Sequence, residues 1–141
     1  MNIERYMGTW YEIARYENRF EKGCIGATAT YTKSDTGMDV INRCLNEQGT
    51  ITNEAKGRAY VVEKSDNTKL RVSFFWPFYG DYWVIKLGNE YQYSVVGEPS
   101  RKYLWILSRN KKLSEKDKRD ILVTLPSLGY DPHMLYWTRY P

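Results

Sequence analysis

A chain of 141 residues with 21 Lys and Arg against 17 Asp and Glu, formal net charge +4, has room for one domain with a real core and none for a second. The basic residues are scattered rather than gathered on one stretch, which argues against nucleic acid as a partner and leaves only docking near anionic lipids open. Aromatic residues make up 16% of the chain, thirteen Tyr and five Trp against four Phe, a balance that suits ligand cavities, interfaces or a membrane headgroup layer as well as an aromatic-rich β core.

The first seven residues contain Glu4 and Arg5 and no apolar run, so they do not read as a signal peptide. Because a strand follows almost at once, we expect that an export signal was trimmed ahead of Met1. Gly8-Thr9-Trp10-Tyr11-Glu12-Ile13-Ala14-Arg15-Tyr16 opens an alternating strand over 9–16, and a longer loop over 17–23 follows. Strands are predicted over 24–33, 38–45, 50–63, 68–76, 81–88, 91–98 and 102–109. Turn chemistry separates most of them: Asp35-Thr36-Gly37, Glu47-Gln48-Gly49, Ser65-Asp66-Asn67, Pro77 to Gly80, Gly88-Asn89-Glu90 and Gly97-Glu98-Pro99-Ser100. Ser114 is a natural N-cap, Glu115 and Asp117 fall in the first turn, and Ile121, Leu122 and Leu125 recur at helical spacing, which predicts a helix over 114–125 stopped by Gly129. Its apolar side should pack on outward residues such as Ile13. The tail from Met134 to Tyr140 reads as a short ninth strand. No stretch approaches eighteen consecutive apolar residues.

An open antiparallel sheet of eight strands would leave two unpaired edges, and closure removes them. The expected fold is therefore all-β: an eight-stranded antiparallel up-and-down barrel with one C-terminal helix packed outside and a short final strand. The first and last barrel strands then become neighbours, so that Gly8, Trp10 and Arg109 form a structural clasp with the guanidinium over the indole. Alternation sets what points inward. In Lys69-Leu70-Arg71-Val72-Ser73-Phe74 the charged residues turn out and Leu70, Val72 and Phe74 turn in; an outward Lys86 predicts Trp83, Ile85 and Leu87 inside; outward Lys56 and Arg58 put Gly57 and Ala59 inside. Tyr103 and Trp105 share the parity of Arg109, and Val96 joins them from the neighbouring strand. Tyr31 and Asn42 add polar handles. Small inward residues at Gly57, Ala59 and Ser94 leave space, so the interior is expected to hold one small hydrophobic ligand, with a merely packed core as the bland alternative.

Catalytic equipment is sparse. The single His, His133, lies in the tail, and the chain has no HExxH, no glycine-rich phosphate loop and no GxSxG elbow. One His and two Cys cannot build a tetrahedral metal site, and no cofactor is indicated. Glu12 faces inward by the parity of Trp10, and a free thiol at Cys44 is the other group that an enzyme on this barrel would use. Cys24 and Cys44 flank the turn at 34–37 close to facing positions, which leaves a disulfide and two unlinked thiols both open. Four aromatics crowd Phe75-Trp76-Pro77-Phe78-Tyr79-Gly80, where they serve as a gate, a membrane or dimer contact, or a plug folded over the barrel end.

Taken together, Gly8-Thr9-Trp10-Tyr11-Glu12, Trp105-Ile106-Leu107-Ser108-Arg109, Leu70-Arg71-Val72-Ser73-Phe74-Phe75 and Pro77-Phe78-Tyr79-Gly80 make the chain resemble the lipocalins, specifically the bacterial outer-membrane lipoprotein group that is also close to apolipoprotein D. The middle family motif is degenerate here as Gly88-Asn89-Glu90-Tyr91. The resemblance implies non-enzymatic binding of fatty acids, lysophospholipids or similar amphiphiles, export to the periplasm or outer membrane, and a homodimer in some members. A lipocalin-fold isomerase or de-epoxidase, or a membrane-surface protein with a filled barrel, are the alternatives.

Overall fold

Alternating residues and short turns build one nine-stranded antiparallel sheet that closes on itself. The structure is a computed structural model and describes residues 1–18, 23–35, 37–75, 78–138 and 140, with the side chains of all of these but 75, 78 and 79. A single turn of helix, α1 (Ile3–Tyr6), precedes the sheet, capped by the Asn2 side chain, which accepts from the Arg5 N–H. The strands are β1 (Gly8–Tyr16), β2 (Gly26–Lys33), β3 (Met38–Leu45), β4 (Ile51–Val61), β5 (Lys69–Phe75), β6 (Phe78–Leu87), β7 (Tyr93–Gly97), β8 (Leu104–Ser108) and β9 (Leu135–Trp137), and α2 spans Glu115–Thr124. Strand β6 begins at Phe78, so the aromatic turn is shorter than the sequence suggests; residues 76 and 77 and the neighbouring aromatic side chains lie outside the described ones.

Each strand from β1 to β7 pairs with the next, and β1 closes the circle by pairing with β8 as well as β2. The β1–β2 pairing covers only Gly8 to Tyr11, the lower part of β1. Above it, β9 pairs with β1 at Ala14–Tyr16, and the tail stitches the seam: Tyr136 Oη donates to the Ile25 carbonyl, Tyr140 Oη to the Ala27 carbonyl, and Thr138 Oγ1 to the Glu12 carbonyl. Closure leaves the barrel without a free edge at this seam.

Two apolar clusters lie on opposite faces of the wall. Inside are Tyr6, Trp10, Tyr31, Met38, Val40, Ala59, Leu70, Val84, Val96 and Leu107. Outside, Ile13, Ala14, Val95, Leu104 and Ile106 are covered by Ile121 and Leu125 of α2 and its extension, together with Tyr130 and Leu135. Ser114 caps α2 by accepting from the Asp117 N–H, and Gly129, at φ +90°, ends the 3₁₀ turn Leu125–Leu128 that prolongs it.

Bulges correct the simple parity. Between Val84 and Lys86 the β6–β7 register shifts, so one extra residue sits on β6 and the inward set changes phase. Tyr82 and Val84 point in below Phe78, and Leu87 points in after the bulge. Trp83 is instead on the outer face, opposite Lys69, whose ammonium lies 4.2 Å from its ring, and Ile85 packs into the outer cluster beside the helix. The expected inward placement of Trp83 and Ile85 is thereby overturned. A second shift between Glu12 and Ala14 puts Ile13 and Ala14 outside and brings Arg15 opposite Trp105.

Candidate functional site

The lower half of the interior is closed and full. Arg109 lies with its guanidinium carbon 3.7 Å from the centre of the Trp10 ring and donates to the carbonyls of Thr9 and Arg5 at 3.2 and 2.7 Å. Gly8 sits at φ +101°, a conformation that favours glycine, and a Cβ there would press on Arg109 Nη1 at 3.3 Å. Tyr6, fully buried, accepts from the Trp10 indole through its carbonyl at 2.9 Å. Its hydroxyl is hydrogen-bonded to those of Tyr82 and Ser94 at 2.6 and 2.7 Å, and Tyr82 meets Tyr31 at 2.8 Å. Burial pushes the Tyr6 phenol up to about 12 and raises those of Tyr31 and Tyr82 as well, so all three stay protonated through the physiological range. The gap between Tyr31, Met38, Val40, Ala59, Leu70, Val72 and Tyr82 has no room for a water molecule.

Above that layer the barrel opens. Phe74 lies over Gly57, where a Cβ would fall 2.7 Å from its ring, and it is 38% exposed. Across the opening, Trp105 pairs with Val96, and the Tyr103 ring stacks on Trp105 with centroids 5.9 Å apart and planes 5° from parallel. The facing wall is small and polar: Asn42 and Ala55 are paired across β3 and β4 and both exposed, and Ala29 lies opposite Asn42 on β2. At mid-height Arg15 and Glu12, both almost wholly buried, form an ion pair at 3.0 Å, and Arg15 also donates to the Cys24 carbonyl at 3.0 Å and meets Glu17 at 3.4 Å. Cys24 and Cys44 form a disulfide that ties the rim of β3 to the chain entering β2, and neither thiol is free.

The residues singled out from the sequence therefore divide by height. Phe74, Tyr103, Trp105 and Asn42 line the open upper half. Tyr31, Ala59, Leu70, Val72 and Val96 face the same lumen but belong to its packed lower half, where Leu70 is 1% and Val96 0% exposed. Trp83 and Ile85 are on the outer wall. Sequence reasoning missed Tyr6 and Tyr82: Tyr6 lies in a helical turn too short to show a period, and the β6 bulge hides the parity of Tyr82. The Asn2 cap three residues before Arg5 is the one local signal for that turn.

A separate hollow of about 540 Å³ lies on the outside of the closed end, among Met1, Asn2, Ile3, Glu4, Lys33, Asp66 and Asn67. It is shallow and lined mostly by charged and polar groups, with Lys33 paired to Glu4 at 3.1 Å, and it shares no lining residue with the aromatic cup. Among the described residues no cluster of three His, Cys, Asp or Glu is placed to hold a metal ion. Among them, too, no helix is long and apolar enough to cross a membrane.

Residues 1–140 match the lipocalin-like domain family. The outer membrane lipoprotein Blc of Escherichia coli K12 is 42% identical over 141 residues, covering 99% of this chain and 80% of the relative. Temperature-induced lipocalin-1 of Arabidopsis thaliana is 39% identical over 150 residues, covering 98% of this chain and 78% of the relative. Among solved structures, insecticyanin from the tobacco hornworm Manduca sexta superposes with a TM-score of 0.79 at 18% identity over all of this chain and 82% of that one. The barrel, its Trp10–Arg109 clasp and these matches agree: the chain belongs to the lipocalin family.

Proposed function

We propose that this chain carries single-chain amphiphiles, fatty acids or lysophospholipids, with the acyl chain in the upper half of the barrel and the head group at the rim. The observation that carries the reading is the aromatic wall of the exposed Phe74 and the half-buried Tyr103 and Trp105 standing above a packed floor. Small hydrophobic ligand binding is the family's general work, and acyl burial supplies about 0.8 kcal/mol per methylene without needing a charged anchor. Both chemical groups available to an enzyme on this barrel are occupied, Cys44 in a disulfide and Glu12 in a buried ion pair with Arg15, which favours a carrier. Likeness to an outer membrane lipoprotein supports export to the periplasm or outer membrane as the place where it works.

Titration with lauroyl-lysophosphatidylcholine tests this. Binding should change the tryptophan emission and raise the melting temperature, and Trp105→Phe should remove most of the emission change while leaving the stabilisation. Unchanged emission and an unchanged melting temperature in the wild type would sink the proposal. Native mass spectrometry of the same samples reads bound ligand together with monomer or dimer.

A further inference from the structure

The upper cup has a bottom, and its position carries a prediction about which ligands fit. We propose that the hydrogen-bonded Tyr6–Tyr82–Tyr31 layer, roofed by Phe74 over Gly57, is a fixed floor that limits the acyl chain this barrel accepts to about a dozen carbons. The inference rests on the carrier reading and adds a chain-length rule to it.

Three observations hold the floor in place. No water fits beneath Phe74 among Tyr31, Leu70, Val72 and Tyr82, so an acyl chain cannot advance without moving side chains out of a packed layer. Each phenol is tied to another, and Tyr6 adds Ser94, so displacing any one ring strands a buried hydroxyl. Tyr6 is itself clamped from below, through its carbonyl by the Trp10 indole and through ring contact at 5.0 Å, and Trp10 is in turn covered by Arg109.

The depth above the floor follows from strand geometry. From Gly57 up to Ile51, β4 rises roughly 20 Å at about 3.3 Å per residue. Tilted by about 40°, as strands of a closed barrel are, that is about 15 Å of depth. An extended chain gains about 1.2 Å per bond, so about a dozen carbons reach from floor to rim. Over this height Ala55 and Asn53, which the register with Asn42 and Cys44 puts on the lumen side, are exposed, so among the described residues none covers this wall.

The test is affinity against chain length, using saturated fatty acids of even length from eight to eighteen carbons below their aggregation concentrations. In the wild type, affinity should rise about fourfold per added methylene and then flatten near twelve carbons. Tyr82→Ala opens the floor and should move the break to longer chains. Ala55→Trp, a substitution on an exposed part of β4, fills the cup from its wall and should move the break to shorter chains, so the test survives if Tyr82→Ala does not fold. Affinity that keeps rising to eighteen carbons in the wild type, or a break that stays put in Ala55→Trp, overturns the floor while leaving the carrier reading intact. Absence of binding at every length overturns both.

Discussion

Removing the Arg109 guanidinium tests whether the Trp10 contact is a structural clasp. The side chain makes a cation–π contact at 3.7 Å and two charged hydrogen bonds, at 3.2 Å to the Thr9 carbonyl and 2.7 Å to the Arg5 carbonyl. A half-buried cation–π contact is worth about 1 kcal/mol. The two carbonyls lie at the water-accessible end of the barrel, so water replaces most of what each loses, leaving about 0.5 kcal/mol apiece out of the 1.5 or more that a dry charged hydrogen bond would contribute. Arg109→Ala should therefore cost about 2 kcal/mol, or roughly 4–8 °C in melting temperature for a chain of this size. Arg109→Lys keeps the cation over the ring but reaches at most one carbonyl, and should recover about half of the loss. Urea unfolding with the disulfide intact, at a constant slope of free energy against urea, measures this directly. A cycle with Trp10→Phe isolates the ring contact, with an expected coupling of about 1 kcal/mol. If Arg109→Ala costs less than about 0.5 kcal/mol, or Arg109→Lys matches the wild type, the clasp is ornamental and the reasoning fails.

Two further outcomes are specific. The disulfide links residues 20 apart, and loop-closure entropy assigns it about 3 kcal/mol; Cys24→Ser with Cys44→Ser, or reduction of the wild type, should lower the melting temperature by roughly 10 °C, and a loss under 2 °C would contradict a role in holding the rim. Glu98 organises the turn between β7 and β8: burial pushes its pKa up, but the Ser100 hydroxyl and the N–H groups of Ser100, Tyr103 and Lys102 outweigh this and hold it below 4.5. Its folded value being depressed, its contribution is present above the ordinary carboxylate range and disappears as pH falls through the folded value. Glu98→Gln should cost about 1 kcal/mol at neutral pH, with the difference shrinking as pH falls below the ordinary carboxylate range, read from unfolding at a series of pH values; a difference that does not shrink in acid would refute the assignment.

Much of this architecture was legible in the sequence because period and turn chemistry act locally. The clean alternation from Lys69 to Phe74 gave the inward face of β5, and Ser114 with Glu115 and Asp117 marked the start of α2. The errors came where one added residue changes a phase. Trp83, Ile85 and Leu87 all looked inward from an outward Lys86, and the bulge between Val84 and Lys86 leaves that true of Leu87 alone. The site was legible in kind but not in depth. Alternation tells which side chains face the lumen, yet whether Tyr31 and Leu70 line a cavity or fill it depends on Tyr6, which comes from outside the sheet, and on Tyr82, whose parity the bulge conceals. The small residues at Ala59 and Ser94, which suggested space, accommodate those phenols instead.

The stitched seam between β1 and β2 has a temporal meaning. The hydroxyls of Tyr136 and Tyr140 meet the carbonyls of Ile25 and Ala27, partners more than a hundred residues earlier, and Thr138 reaches the carbonyl of Glu12. During synthesis these carbonyls emerge more than a hundred residues before the hydroxyls that meet them, so the upper wall cannot zip until Tyr136, Thr138 and Tyr140 have been made. Contacts of such long sequence separation slow folding, because the loop entropy is lost before the contact is gained. Tyr136, Thr138 and Tyr140 thus act as a latch on a vessel whose lower half, joined directly from Gly8 to Tyr11, can assemble before them.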